Sequence, residues 1–169
     1  MEKFIPDIKL GKAAIDRQPF SLGAAAVMLA SLMLFLLAAC GSGPASGSRV
    51  VFHPSGVAEP ATLYVEVART GQEKAKGLMN RTQLGAGNGM IFIWEDPVTE
   101  SFWMKNTPLP LSIAFISVGG VIVDIQDMEP FSVQPHAPAA AYIYAVEANQ
   151  GWFSAHGIAM GDRAEFFER

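Results

Sequence analysis

The side chains best suited to chemistry crowd into one run, SFWMKNTPLPLSIAF, Ser101 to Phe115. Trp103 offers an indole face, Lys105 an ammonium and Asn106 an amide, with Pro108 and Pro110 close behind. On an extended chain alternate side chains share a face, so Phe102, Met104 and Asn106 point one way and Trp103, Lys105 and Thr107 the other. The first set is expected to join the core, with Asn106 bonding backbone at its end. The second sets an indole beside an ammonium. That suits recognition of a carbohydrate or an anionic group, or equally a lysine stem packed over a tryptophan that caps the core. The prolines lack amide donors and belong at an edge, bulge or turn. Upstream, Arg81 carries a planar fork for a carboxylate, either of a ligand or of the domain itself, with Asp127 and Glu129 as internal candidates.

Other chemistries have weaker signatures. There is no GxSxG elbow and no SxxK, and GAGNG (Gly85 to Gly89) lacks the Lys-Ser/Thr that would make a phosphate loop. His53, His136 and His156 are scattered without HExxH spacing, and His136 in QPHAP reads as a surface residue. Asp124, Asp127 and Glu129 lack the spacing of a calcium loop. Met79, Met90, Met104 and Met128 have the softness to hold cuprous ion with histidines, but nothing in the sequence places them together and core filling is the plainer role. No metal and no cofactor is expected.

The elements that must position these residues are mostly strands. Arg49–Phe52, Thr62–Ala68, Gly89–Trp94, Ser101–Asn106, Ser112–Ser117, Val121–Met128, Ala141–Ala148 and Arg163–Glu168 are short, rich in β-branched and aromatic residues, and punctuated by Gly, Pro, Asn or Asp. Leu63, Val65 and Val67 alternate with polar neighbours, which predicts one buried face. MIFI and IAFI are apolar on both faces, which predicts central or covered strands. Val118-Gly119-Gly120 predicts a hairpin. Thr70-Gly71-Gln72-Glu73 fits a capping box opening a helix toward Met79, weakened by Gly77, and a second helical turn is predicted over Gln150–His156, capped by Asn149 and ended by Gly157. The fold class is mainly β, a β-rich α+β domain, built as a single β-sandwich or partly open barrel with two short helices.

Ahead of this domain, Leu22–Leu37 is an uncharged apolar run preceded by Lys9, Lys12 and Arg17, the order of an export signal. Its length is short for a spanning helix, which needs about 20 apolar residues. The chain's single cysteine closes it in LLAACGS. That stretch resembles the bacterial lipoprotein signal, in which Cys40 is acylated and becomes the new N-terminus. Residues 1–39 are thus expected to be a signal peptide, 40–48 a lipidated Cys and Gly/Ser tether, and 49–169 the folded domain. Cleavage before Cys40 leaves eight Lys plus Arg against thirteen Asp plus Glu, a balance that excludes nucleic-acid binding by phosphate neutralisation. With Cys40 lipidated, the domain has no thiol for catalysis or disulfides.

EVARTGQEKAKGLMNR, GNGMIFIW, SFWMKNTPLPLSIAFI and EANQGWFSAHGIAMGDRAEF together resemble the bacterial and archaeal domain of unknown function 192, also called uncharacterised protein family 0127, over Leu63–Phe166. The resemblance implies a mainly β domain, often exported, of unestablished activity. The chain departs from the family pattern at Ser112 and Ser117, where aspartates are common, at SVQPHAP, where many members have a cysteine, and at Asn80, where an aromatic is common. The residues left to carry a shared chemistry are Arg81, Trp103, Lys105, Asn106 and Trp152. The expectation is an exported, lipid-anchored ligand- or partner-binding module of the cell envelope. It would sit on the periplasmic face of the outer membrane if the cell has two, and its partner would be a small ligand, an envelope polymer or an envelope protein. The alternative is a hydrolase or transferase acting on an envelope polymer, with Lys105 or His136 in proton transfer; a purely structural role also stands open. Cys40→Ser is expected to abolish incorporation of an alkyne-tagged fatty acid in cells, whereas undiminished labelling would refute lipidation at Cys40.

Overall fold

The structure, a computed structural model, describes residues 47–56 and 59–169. Cys40 and the apolar leader lie outside the described residues. Strands β1 (Arg49–His53), β2 (Ala61–Ala68), β3 (Asn88–Val98), β4 (Leu111–Ile116), β5 (Ile122–Met128), β6 (Tyr142–Asn149) and β7 (Arg163–Phe167) are joined by α1 (Gly71–Lys76) after β2 and α2 (Trp152–Ala155) after β6. They form one seven-stranded sheet in the order β5-β4-β6-β3-β2-β1-β7. Only β2 and β3 run parallel among these pairs, with Tyr64 opposite Asn88 and Ala68 opposite Phe92. The edges meet at one end, where Val121 bridges Arg163 and the Ile122 amide donates to the Asp162 carbonyl at 2.9 Å. The sheet is therefore a curled half-barrel, which resolves the sandwich-or-barrel choice in favour of the partly open barrel.

Alternation along the strands feeds two cores. In β4 the side chains of Ala114 and Ile116 point inward to join Val50, Leu63, Ile91 and Val146, while Leu111, Ile113 and Phe115 point outward to join Met90, Phe92, Met104 and Tyr142. All of β4 is buried, as a strand apolar on both faces must be. The predicted β4–β5 hairpin is present, with the Gly120 amide donating to the Ser117 carbonyl and Gly120 at φ +73°. The Thr70–Glu73 capping box is also present, but α1 stops at Lys76, short of Met79, because the chain turns at Gly77 with φ +46°.

Two expectations are corrected. Ser101–Asn106 is not a strand: it keeps a single bridge, Phe102 to His136, plus a bond from the Met104 amide to the Ser132 carbonyl, and Asn106 leaves extended geometry at φ +58°. That reversal also swaps the last two side chains, leaving Asn106 exposed and Thr107 buried. The second helix covers only Trp152–Ala155 and starts at Gly151 without a side-chain cap. Asn149 instead donates to the carbonyls of Leu84 and Gly85. Its start is held by Ser112, whose hydroxyl accepts from the Gly151 amide at 2.9 Å and donates to Asp127.

Gly89, at the head of β3, is the tightest backbone contact in the sheet. A Cβ there would lie 2.3 Å from the Glu147 carbonyl oxygen and 2.7 Å from Leu63, while one at Gly87 would meet nothing within 4 Å. Gly89→Ala is expected to destabilise the domain by about 3 kcal/mol and Gly87→Ala by less than about 1 kcal/mol, as read from denaturant midpoints. Equal effects would show that β3 and β6 can part without cost.

Candidate functional site

The outer face of β3, β4 and β6 carries a ring of edge-to-face aromatics. Phe102 contacts Phe92 at 5.0 Å and Phe115 at 5.8 Å between centroids, Phe115 contacts Tyr142 at 4.9 Å, and Tyr142 contacts Trp94 at 5.1 Å. Phe102 thereby fastens the 101–107 segment onto the sheet. The Tyr142 hydroxyl donates to the Glu100 carbonyl at 2.9 Å, and burial raises its pKa. On the other side, the Asn80 amide donates to the Asn106 carbonyl at 2.7 Å, tying the chain after α1 to the same segment. Asn80 and Asn106 both have positive φ, so each reverses the chain where the two segments meet.

Between these walls opens a cleft of about 430 Å³, within the size range of small-molecule sites. Lys74, Lys76 and Met79 line it from the α1 side, Phe102 and Trp103 from the opposite segment, and Glu147 from the sheet. Glu147 is 5 % exposed. It stands on β6 opposite Met90 of β3 and Ile113 of β4, on the face that carries the aromatic ring. No hydrogen bond joins its carboxyl to a described residue, and since no fully buried side-chain nitrogen or oxygen among the described residues lacks a partner, the carboxyl oxygens keep a narrow contact with the cleft. Burial alone pushes its pKa up to about 8, so the charges of Lys74 and Lys76 do not relieve it. Lys74 is engaged elsewhere: its Nζ donates to the Ile93 carbonyl at 3.2 Å and sits 4.3 Å from the centre of the Trp94 ring. At neutral pH the site thus presents a mostly protonated carboxylic acid beside the rings of Phe92, Phe102 and Trp103, with Lys74, Lys76 and Glu100 on the same cleft.

The residues singled out from the sequence separate into groups. Trp103 lines the cleft and is 52 % exposed, with the Lys105 ammonium 5.4 Å from its ring centre. Asn106 shapes the turn beside it through its carbonyl and left-handed backbone. Arg81 is held in a two-pronged ion pair, and its partner is Glu66 of β2 rather than Asp127 or Glu129; the pairing lowers the Glu66 pKa. Trp152 lies in the inner core, 7 % exposed, against Phe52 at 5.6 Å and Phe153 at 5.4 Å. The structure therefore gathers Trp103, Lys105 and Asn106 at one place and puts Trp152 across the sheet from them. Met90, Met104 and Met128 do come together, as packing of the outer core. His136 is tied to Phe102 through backbone and its Nδ1 faces Gln126 at 3.2 Å.

Glu147 is the residue that sequence reasoning missed. Its signal is present: it is the only charge in AYIYAVEA, a run with apolar side chains at both parities, and an acid in such a strand has no wet face to use.

Comparison with known proteins agrees with this architecture. The model of the family DUF192, described as uncharacterised, matches residues 53–166, and the chain belongs to that family. A Sinorhizobium meliloti 1021 protein described as a candidate transcription regulator is similar at 31 % identity and a TM-score of 0.68, over 72 % of this chain and 94 % of that one. A Novosphingobium aromaticivorans DSM 12444 protein of unknown function is similar at 35 % identity and a TM-score of 0.66, over 69 % of this chain and 83 % of that one. Comparison with curated proteins returns no match.

The Glu147 carboxyl holds its proton more tightly in the folded chain than in the unfolded one. The stability it contributes is complete below the unfolded value of 4.5 and is lost as pH rises through about 8. Relative to Glu147→Gln, the native protein is expected to lose about 1 kcal/mol of unfolding free energy per pH unit across that window, measured by urea unfolding. A difference that does not change with pH would mean that the carboxyl is solvated.

Proposed function

We propose that the domain is a ligand-binding module displayed at the cell envelope on a lipid anchor, with the cleft over Glu147 as its site. The observation that carries the reading is the buried carboxyl itself. It makes no hydrogen bond to a described residue and meets solvent only through the cleft, so a ligand seated there would find its donor and acceptor uncommitted. A concave cleft that joins aromatic walls to a few convergent polar groups favours a small ligand over a flat protein partner. Trp103 extends the wall toward solvent, and the indole-ammonium pair with Lys105 gives the rim a polar edge. Display at the envelope is supported by the order of charge, apolar run and small residues before Cys40. The net charge of −4 speaks against phosphate neutralisation, so the regulator description of the Sinorhizobium protein is not carried over.

A second reading, a hydrolase or transferase acting on an envelope polymer, draws on the same carboxyl. A carboxylic acid kept protonated in an apolar setting is the form a general acid takes. On that reading Glu147, rather than Lys105 or His136, is the proton donor.

A thermal-shift screen of small molecules from an envelope extract tests the binding reading. At least one fraction is expected to raise the Tm of the native protein by roughly 4–8 °C at saturating concentration while leaving Trp103→Ala unshifted. Trp103→Ala is itself expected to unfold within a few degrees of the native protein. Loss of several kcal/mol in that variant would instead mark Trp103 as structural, and no shift from any fraction would overturn the site.

A further inference from the structure

We infer that the cleft takes an uncharged saccharide, with a sugar ring against the Trp103 indole and its hydroxyl groups on the Glu147 carboxyl. The inference rests on the cleft being a binding site and narrows what enters it.

The charges around the cleft set the first constraint. Lys74 and Lys76 face it from α1, Glu100 from the opposite wall and Glu147 from the sheet. An organic cation would meet the two lysines. It would also find indole faces already approached by ammonium groups, Trp94 by Lys74 at 4.3 Å and Trp103 by Lys105 at 5.4 Å. An anionic group would meet Glu100 at the wall, while Lys74 is already engaged by the Ile93 carbonyl and the Trp94 ring and Lys76 lies in the field of Glu66. A neutral ligand meets neither repulsion.

The chemistry of the buried group sets the second. Glu147 is more than nine-tenths buried and lines the cleft, and its carboxyl has no hydrogen bond to a described residue. A carboxylic acid donates through one oxygen and accepts through the other, and a pair of neighbouring sugar hydroxyls offers the matching acceptor and donor. The third constraint is the platform. Trp103 is one of few large apolar side chains left half-exposed, and it borders the same cleft. An indole face presents broad apolar area at low conformational cost, which suits the C–H face of a pyranose while its hydroxyls stay free to bond.

The test uses the full-length protein in a non-glycosidic detergent, so that no sugar headgroup competes. Neutral oligosaccharides of glucose, mannose or N-acetylglucosamine are titrated beside an oligouronate and an alkyltrimethylammonium ion, followed by tryptophan fluorescence and calorimetry. At least one neutral oligosaccharide is expected to bind saturably. Trp103→Ala and Glu147→Leu are each expected to weaken it about ten-fold or more. Glu147→Gln, which keeps a donor and an acceptor, is expected to hold binding within a few-fold. Met160→Ala, which alters the separate hollow beside Ser112 and Asp127, is expected to leave it unchanged. Should Glu147→Leu fail to fold, Trp103→Ala and Glu147→Gln carry the test. Trp103-dependent binding of the oligouronate or the ammonium ion, without any neutral sugar, overturns the saccharide and leaves the cleft standing as a site. Silence from every probe, or sugar binding indifferent to Trp103, overturns the saccharide as well. In that case the envelope-extract screen decides the fate of the cleft.

Discussion

Strand β6 sits between β4 and β3 in the middle of the sheet, and both of its faces have to be covered. The curl of the sheet covers the inner face, helped by Trp152 and Phe153 of the short second helix. The outer face has no second sheet to rest on. It is covered by irregular chain, the residues after α1 and the segment around Phe102 and Met104, held down by edge-to-face aromatics and a few backbone bonds. Irregular chain covers a flat surface incompletely, and the place where the two covering segments do not close is the cleft. Glu147 stands at that gap.

The energetic character of the site follows. A carboxyl on a central strand loses its hydration when the outer face is covered, and no cation has been brought to it. The domain tolerates this because the surrounding core is extensive and because burial keeps the group mostly neutral below pH of about 8. Arg81, the strongest local cation by sequence, is committed to Glu66 on the exposed side of β2, a pairing that contributes about 0.2–1 kcal/mol and fixes the chain leaving α1 rather than the site.

Much of the fold was legible because its signals are local. The β4–β5 hairpin is written in Gly119-Gly120, the start of α1 in Thr70 and Glu73, and the double covering of β4 in IAFI. What failed depended on distant partners. Ser101–Asn106 has strand composition, yet its backbone pairs in ladder fashion with the 132–136 segment at a single bridge, and the left-handed turn at Asn106 ends the pairing. Asn149 looked like a helix cap and is used across the molecule at Leu84 and Gly85. The candidate site was half legible. Trp103 and Lys105 announce an exposed aromatic and cation from their alternation with Phe102 and Met104, but the same composition at Trp152 belongs to a core, because Phe52 and Phe153 close around it. The fate of Glu147 depended on whether loops would cover its strand, which no single segment encodes.

The parallel pairing of β2 with β3 has a consequence for spare chain length. To run parallel, the chain leaving Ala68 must return to the level of Tyr64, where Asn88 begins β3. That return covers roughly 13 Å along the strands, but the chain must also leave the sheet and cross its face, a connection of a dozen or more residues. Residues 69–87 exceed that minimum by a few residues. The crossover is what builds α1, the Gly77 turn and one wall of the cleft, so the connection that makes the pairing parallel also makes that wall. Its exposed side chains are open to change with the strand order intact, while Leu78 stays bound to the core, which gives this barrel a region where binding preference can drift without the fold being remade.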